Sequence, residues 1–283
     1  MVSGPVGSSA QARKPRAGRN LPAAIATGVG LLALCLVTLF TYKWTFGVVV
    51  SVAMAIAVLE FSNAFKQAGI HLERVSVALA AAVMPLAAFW YGVSGQLVVM
   101  GITVLAVIFA RIPRGADGYV KDVTASLFVA AYLPFMASFL MLTLSAENGP
   151  MRVLVFVLLT AGNDIGGYAA GVFFGRHAIA PSISPKKSWE GLAGSLVLQT
   201  LLGLGCFVWL LDATWWQGAI TGIILCFTAT AGDFAESAVK RDLGIKDMGR
   251  LLPGHGGLMD RLDSLIPNAF ASWALFTMFL GSA

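Results

Sequence analysis

Between residues 232 and 263 an otherwise apolar chain becomes dense in charge. On a helix, at 100° per residue, Asp233, Ser237 and Lys240 fall within about 60° of one another, with Glu236 close beside them. One helix end therefore offers a carboxylate, a hydroxyl and an ammonium, the groups that a hard cation and a set of phosphates require. Gly244 suits the stop of that helix. Pro253-Gly254-His255-Gly256-Gly257 cannot be regular helix; its glycines let the backbone approach a ligand and present N–H groups to phosphate. Asp260 and Asp263 follow at i, i+3 on one face, so either or both can ligate a metal beside Asp233. Mg²⁺ typically takes one or two carboxylates plus substrate phosphates. Juxtamembrane ion pairing accounts for a single residue such as Asp242 or Arg250. It does not account for a Gly-rich loop bracketed by acidic pairs.

Two further groups carry chemistry. Asn163-Asp164-Ile-Gly-Gly-Tyr168 places a carboxylate within an apolar run, roughly 18 Å from the end of its expected helix. Charge at that depth is expensive and marks a functional position unless it is paired, protonated or reached by a polar cavity. Ser184-Pro185-Lys186-Lys187-Ser188-Trp189-Glu190-Gly191 precedes another apolar run. Its two lysines suit phosphate or anionic lipid, and Ser188 also suits a helix cap.

The elements that must position these groups are membrane helices. The chain has 283 residues, 58% hydrophobic and 12% charged, with a mean hydropathy of +0.81. A soluble domain is about a quarter charged, so an ordinary cytosolic enzyme is excluded. Barrel strands would alternate apolar and polar residues, which these runs do not. The expected fold is all-α: a polytopic bundle of nine spans at 21–42, 45–59, 75–92, 96–110, 123–144, 151–175, 191–211, 217–235 and 264–282. Residues 1–20 read as a disordered basic tail, 21–150 as N-terminal membrane helices, and 151–283 as the C-terminal helices that carry the motifs. With the N-terminus cytoplasmic, 17 of the 19 Lys and Arg residues fall on the inner side, leaving only Lys43 and Arg152 outside, as the positive-inside rule requires. The basic balance thus reports orientation, and no nucleic-acid partner is expected. The apolar-run cysteines Cys35, Cys206 and Cys226 show no metal or disulfide pattern. Gly167, Gly171, Gly175, Gly218 and Gly222 read as helix-packing positions.

The segment Ser237-x2-Lys240-Arg241-x4-Lys246-Asp247-x5-Pro253-Gly254-His255-Gly256-Gly257-x2-Asp260-Arg261-x-Asp263 resembles the signature of the phosphatidate cytidylyltransferases, also called CDP-diacylglycerol synthases. The match covers 27 residues at fixed spacing. The two upstream blocks extend the likeness to about 160–265, with Gly167 where the family usually has Ala and Ser188 where it has Thr. The resemblance implies an integral membrane enzyme, often a homodimer, that makes CDP-diacylglycerol from CTP and phosphatidate; with the inner-side excess of Lys and Arg, the expected place is a bacterial cell membrane with the active site facing the cytoplasm. It implies Mg²⁺, with a second, monovalent cation by analogy alone. Asp233 and Asp260 correspond to the family's metal-binding carboxylates, with Asp263 as a further candidate, and Lys240 to a phosphate-contacting lysine. Arg241 and Lys246 join it as candidates for the phosphates. Lys186, Lys187, Ser188, Ser237, His255, Gly256, Gly257, Arg261 and Asp164 are the expected substrate-binding residues. A CDP-alcohol phosphotransferase is disfavoured because its motif is absent. A CTP-using lipid kinase would release CDP rather than pyrophosphate. An ion-coupled transporter would need deep carboxylates in several spans, whereas only Asp164 is clearly deep.

Overall fold

The computed structural model describes residues 21–249 and 257–281. It is a helical bundle. The helices α1 (Leu21–Phe40) and α2 (Lys43–Gln67) are followed by α3 (Arg74–Arg111). α2 extends two turns past the expected end at 59. The charge that suggests a boundary in the sequence, Glu60, is only 8% exposed, and backbone amides from the far end of the chain satisfy it.

α3 is broken at Gly92 (φ 63°, ψ −153°), a conformation open to glycine and costly for other residues. The second half turns back along the first, so the Ala87 carbonyl oxygen lies 2.5 Å from where a side chain on Gly95 would begin. In a straight helix those residues would be about 12 Å apart along the axis. The two ends meet: Arg114 pairs with Glu73, and the His71 N–H donates to Asp122 at 2.8 Å. This hairpin corresponds to the expected segments 75–92 and 96–110.

α4 (Tyr119–Ala130) runs through a π turn, Ala131–Phe135, into α5 (Met136–Ser145). The turn contains Pro134, whose missing N–H breaks the regular ladder. α6 (Gly149–Phe174) leads into a feature the sequence reading did not anticipate. A small antiparallel hairpin, β1 (Ala178–Ala180) and β2 (Ser184–Ser188), carries the Lys-Lys pair. The remaining helices are α7 (Trp189–Leu210), α8 (Trp215–Asp242) and α9 (Leu265–Leu280). Among the described residues, six helical segments are long and apolar enough to cross a membrane.

One apolar core lies where α5, α6 and α9 meet, around Phe139, Phe156, Leu159 and Phe276. A second joins α2 and the π turn to the motif segment, with Phe61, Leu133, Met248, Met259 and Ile266 in one cluster. The first half of the chain therefore forms one wall of the charged region. α7 and α8 pack through small residues as expected: a side chain on Gly218 would begin 2.1 Å from the Gly203 carbonyl oxygen.

Candidate active site

α8 positions the central groups. Gly232 packs so tightly on the entry to α9 that a Cβ there would lie 2.5 Å from the Asp263 carbonyl oxygen and 2.7 Å from Pro267. This close approach brings the next residue, Asp233, into side-chain contact with Asp263. Asp233 also pairs with Lys187 from β2, whose ammonium lies 5.0 Å from the centre of the Phe234 ring. Burial, reinforced by the hydrogen bond and charge of Asp233, pushes the Asp263 carboxyl well above the usual carboxylate range. Two carboxylates in contact hold either a proton or a cation between them.

One turn along α8, Glu236 is fully buried and meets Lys240. The same ammonium donates to Asp260 Oδ1 at 2.8 Å. Asp260 is further held by the N–H of Gly257 at 2.9 Å and of Met248 at 3.2 Å. Its carboxylate thus fastens the short turn Met259–Arg261 to α8 and to the segment after α8.

A cleft of about 200 Å³ opens beside Asp233. Asp164, Lys186, Lys187, Ser188 and Asn163 line it, together with Gly167 and Gly171. This is the polar cavity that a carboxylate deep in α6 requires. It brings both upstream motif blocks to the edge of the 232–263 segment. Ser188 has two roles there, because its Oγ also accepts the Gly191 N–H at 3.1 Å and caps α7. Glu190 accepts the amides of Arg176 and His177 and meets the His177 ring, with Oε1 2.6 Å from Nδ1, which fastens the hairpin to α7.

Arg241 and Lys246 do not line this cleft. The Arg241 side chain donates to the carbonyls of Ile183 and Ile245, both at 3.3 Å, tying the hairpin turn to the end of α8. Lys246 is exposed on a separate, larger cavity between α2 and residues 245–249. Arg261 is exposed and its charge acts on Asp164. Ser237 is half-buried on α8 between Asp233 and Lys240. Gly257 is buried against Gly249 and Glu60. His255 and Gly256 lie outside the described residues.

Two groups escaped the sequence reading. Glu60 accepts the N–H groups of Leu258 and Met259. Tyr132, on the π turn, holds a buried hydroxyl within electrostatic reach of Asp263, Glu236 and Asp233. A carboxylate inside an otherwise apolar helix was the available signal for Glu60. Nothing in the sequence marked Tyr132.

The donor set suits a hard cation. Asp233 and Asp263 supply carboxylate oxygens side by side, and Asp260 lies one turn away. Among the described residues no three His, Cys, Asp or Glu side chains form a ready-made cage. That arrangement fits an ion that takes one or two carboxylates and completes its shell with substrate oxygens and water.

The chain matches the family model described as "Cytidylyltransferase family" over residues 22–279. It is 39% identical to the phosphatidate cytidylyltransferase of Mycobacterium leprae, covering 93% of this chain and 90% of the relative. The Mycobacterium bovis protein of the same name is 38% identical, with the same coverage of both chains. The Haemophilus influenzae protein of that name is 35% identical over 58% of this chain and 61% of the relative. The match over nearly the whole length, together with the geometry around Asp233, makes this chain a member of the cytidylyltransferase family.

Proposed function

We propose that the protein transfers CMP from CTP to phosphatidate, giving CDP-diacylglycerol and pyrophosphate. The observation that carries this reading is the convergence of three separate motif blocks, on α6, β2 and α8, around one cleft beside paired carboxylates. The excess of basic residues on one side of the expected layout supports a cytoplasm-facing site in an inner or plasma membrane. A homodimer is part of the proposal by family likeness alone.

A phosphatidate phosphate oxygen attacks the α-phosphorus of CTP. One P–O bond forms, the bond from the α-phosphorus to the β-phosphate bridging oxygen breaks, and pyrophosphate leaves. The nucleophile is already anionic at neutral pH, so no general base is needed, and the main barrier is bringing anions together. This chain's cations lower it by neutralising and positioning charge. Lys187 and Lys186 stand at the cleft mouth for phosphate. An ammonium has three donors, and Lys240 points two at Glu236 and Asp260, leaving one for a substrate oxygen. Asp233 and Asp263, with Asp260 beside them, would hold Mg²⁺. When bound, the ion would stabilise charge on the transferring phosphoryl group. Glu236 and Asp260 keep the Lys240 head in place while the substrate is absent.

The test uses purified protein with phosphatidate and CTP labelled on either the α- or the γ-phosphate. The expected result is α-label in the lipid and γ-label in pyrophosphate. Transfer of γ-label to a lipid, with CDP released, would replace this reading by a kinase.

A further inference from the structure

Glu60 is the one acidic residue within the apolar helix α2, and α2 belongs to the half of the chain that carries none of the motifs. Burying a carboxylate there is expensive unless hydrogen bonds hold it. It receives two: the Leu258 N–H donates to Oε1 at 3.0 Å and the Met259 N–H to Oε2 at 2.9 Å. These amides lie at the start of the short turn that carries Asp260, where the backbone has no helical carbonyl of its own to bond. Two glycines make room for the carboxylate. A Cβ on Gly249 would lie 2.2 Å from Glu60 Oε1, and one on Gly257 would lie 2.8 Å from Oε2. In this structure both glycines serve the close approach of Glu60. The turn so anchored then presents Asp260 to Lys240 at 2.8 Å.

We propose that Glu60 is a positioning residue for the reaction: it fixes the Met259–Arg261 turn, and through it Asp260 and the Lys240 head, against the motif-free half of the molecule. This rests on the reading of Asp260 and Lys240 as parts of the CMP-transfer site. Glu60 touches no substrate in this account. It sets where the turn sits, and a small displacement of a positioned group costs about 10²-fold in rate.

The experiment uses the full-length protein in detergent micelles, with Glu60→Gln and Glu60→Asp beside the parent. Gln keeps the shape but turns an NH₂ toward one of the two amides, and Asp keeps both acceptors on a shorter arm. Three quantities are measured: kcat and KM for CTP with phosphatidate and Mg²⁺, the folded fraction by size exclusion and melting, and amide exchange of peptides spanning 257–264. For Glu60→Gln we expect kcat to fall about 10- to 100-fold with KM for CTP changed by less than about threefold. Exchange at 257–264 should be faster, and the folded fraction should match the parent. Glu60→Asp should lie between the two. Parent-like kcat in Glu60→Gln overturns the proposal, as does a loss of activity no larger than the loss of folded protein. A parent enzyme inactive on CTP and phosphatidate would count against the functional reading alone. Exchange would then decide this proposal, and unchanged protection at 257–264 in Glu60→Gln would overturn it.

Discussion

Replacing Lys240 by Met should destabilise the protein through two carboxylates at once. The ammonium stands against Glu236, which is 0% exposed, and against Asp260, whose side chain is 11% exposed. At an effective dielectric of about 20, a charge pair at the 2.8 Å Lys240–Asp260 separation attracts by about 6 kcal/mol. Desolvation of both partners offsets part of this. Removing one partner of a buried pair nevertheless costs about 3–5 kcal/mol, because the other charge is left uncompensated. For a protein of this size that is roughly 6–20 °C in the unfolding midpoint. Lys240→Arg keeps the charge and should stay close to the parent in stability while losing activity, since the guanidinium head cannot occupy the ammonium's place. The assay is a double-mutant cycle, melting detergent-purified parent, Lys240→Met, Glu236→Gln and the double variant side by side. Neutralising Glu236 should recover about 1–3 kcal/mol in the Met background and cost stability in the parent background. Lys240→Met melting with the parent, or Glu236→Gln having the same effect in both backgrounds, would refute the reasoning.

Lys187→Met removes the partner of Asp233 at the cleft mouth. It should raise KM for at least one substrate about tenfold, and Lys186→Ala, at a more exposed position, should do less. Steady-state kinetics with each substrate varied will check both. Gly232→Ala places a Cβ 2.5 Å from the Asp263 carbonyl oxygen. It should move α9 away from α8 and lower kcat by at least about tenfold, while a control substitution at the open position Gly101 leaves kcat unchanged. Gly92→Val should lower stability by about 1–3 kcal/mol, because that backbone conformation excludes a β-branched residue, and melting will report it. Asp263→Asn should shift the Mg²⁺ concentration giving half-maximal activity upward. If Asp260 serves mainly to hold the turn, Asp260→Asn will lower kcat with a smaller shift, as a Mg²⁺ titration of both variants will show.

The sequence made the motif face legible because local geometry determines it. Asp233, Ser237 and Lys240 share a helix face wherever that helix goes, and Asp260 and Asp263 must leave the loop together. The need for a polar cavity at Asp164 was legible for the same reason, since a carboxylate in an apolar run demands one. The hairpin that carries Lys186 and Lys187 was not legible, because one strand is only Ala-Ile-Ala and the other, Ser-Pro-Lys-Lys-Ser, shows no apolar alternation. The true length of α2 was hidden by Glu60, which reads as a span end until its partners, 198 and 199 residues away, are seen. The Asp260–Lys240 contact joins two motifs that the sequence placed side by side without saying which carboxylate meets which cation. Tyr132 depends on a π turn whose cause, Pro134, is visible but whose consequence is tertiary.

The most direct test of CMP transfer at the Asp233 site compares parent and Asp233→Asn protein of matched folded fraction, given CTP, phosphatidate and Mg²⁺. CDP-diacylglycerol and pyrophosphate are both quantified. The parent should give one pyrophosphate per CDP-lipid, and Asp233→Asn should lose both products. Near-parent formation of both by Asp233→Asn, or a parent that consumes CTP without making CDP-lipid, would contradict CMP transfer at that site.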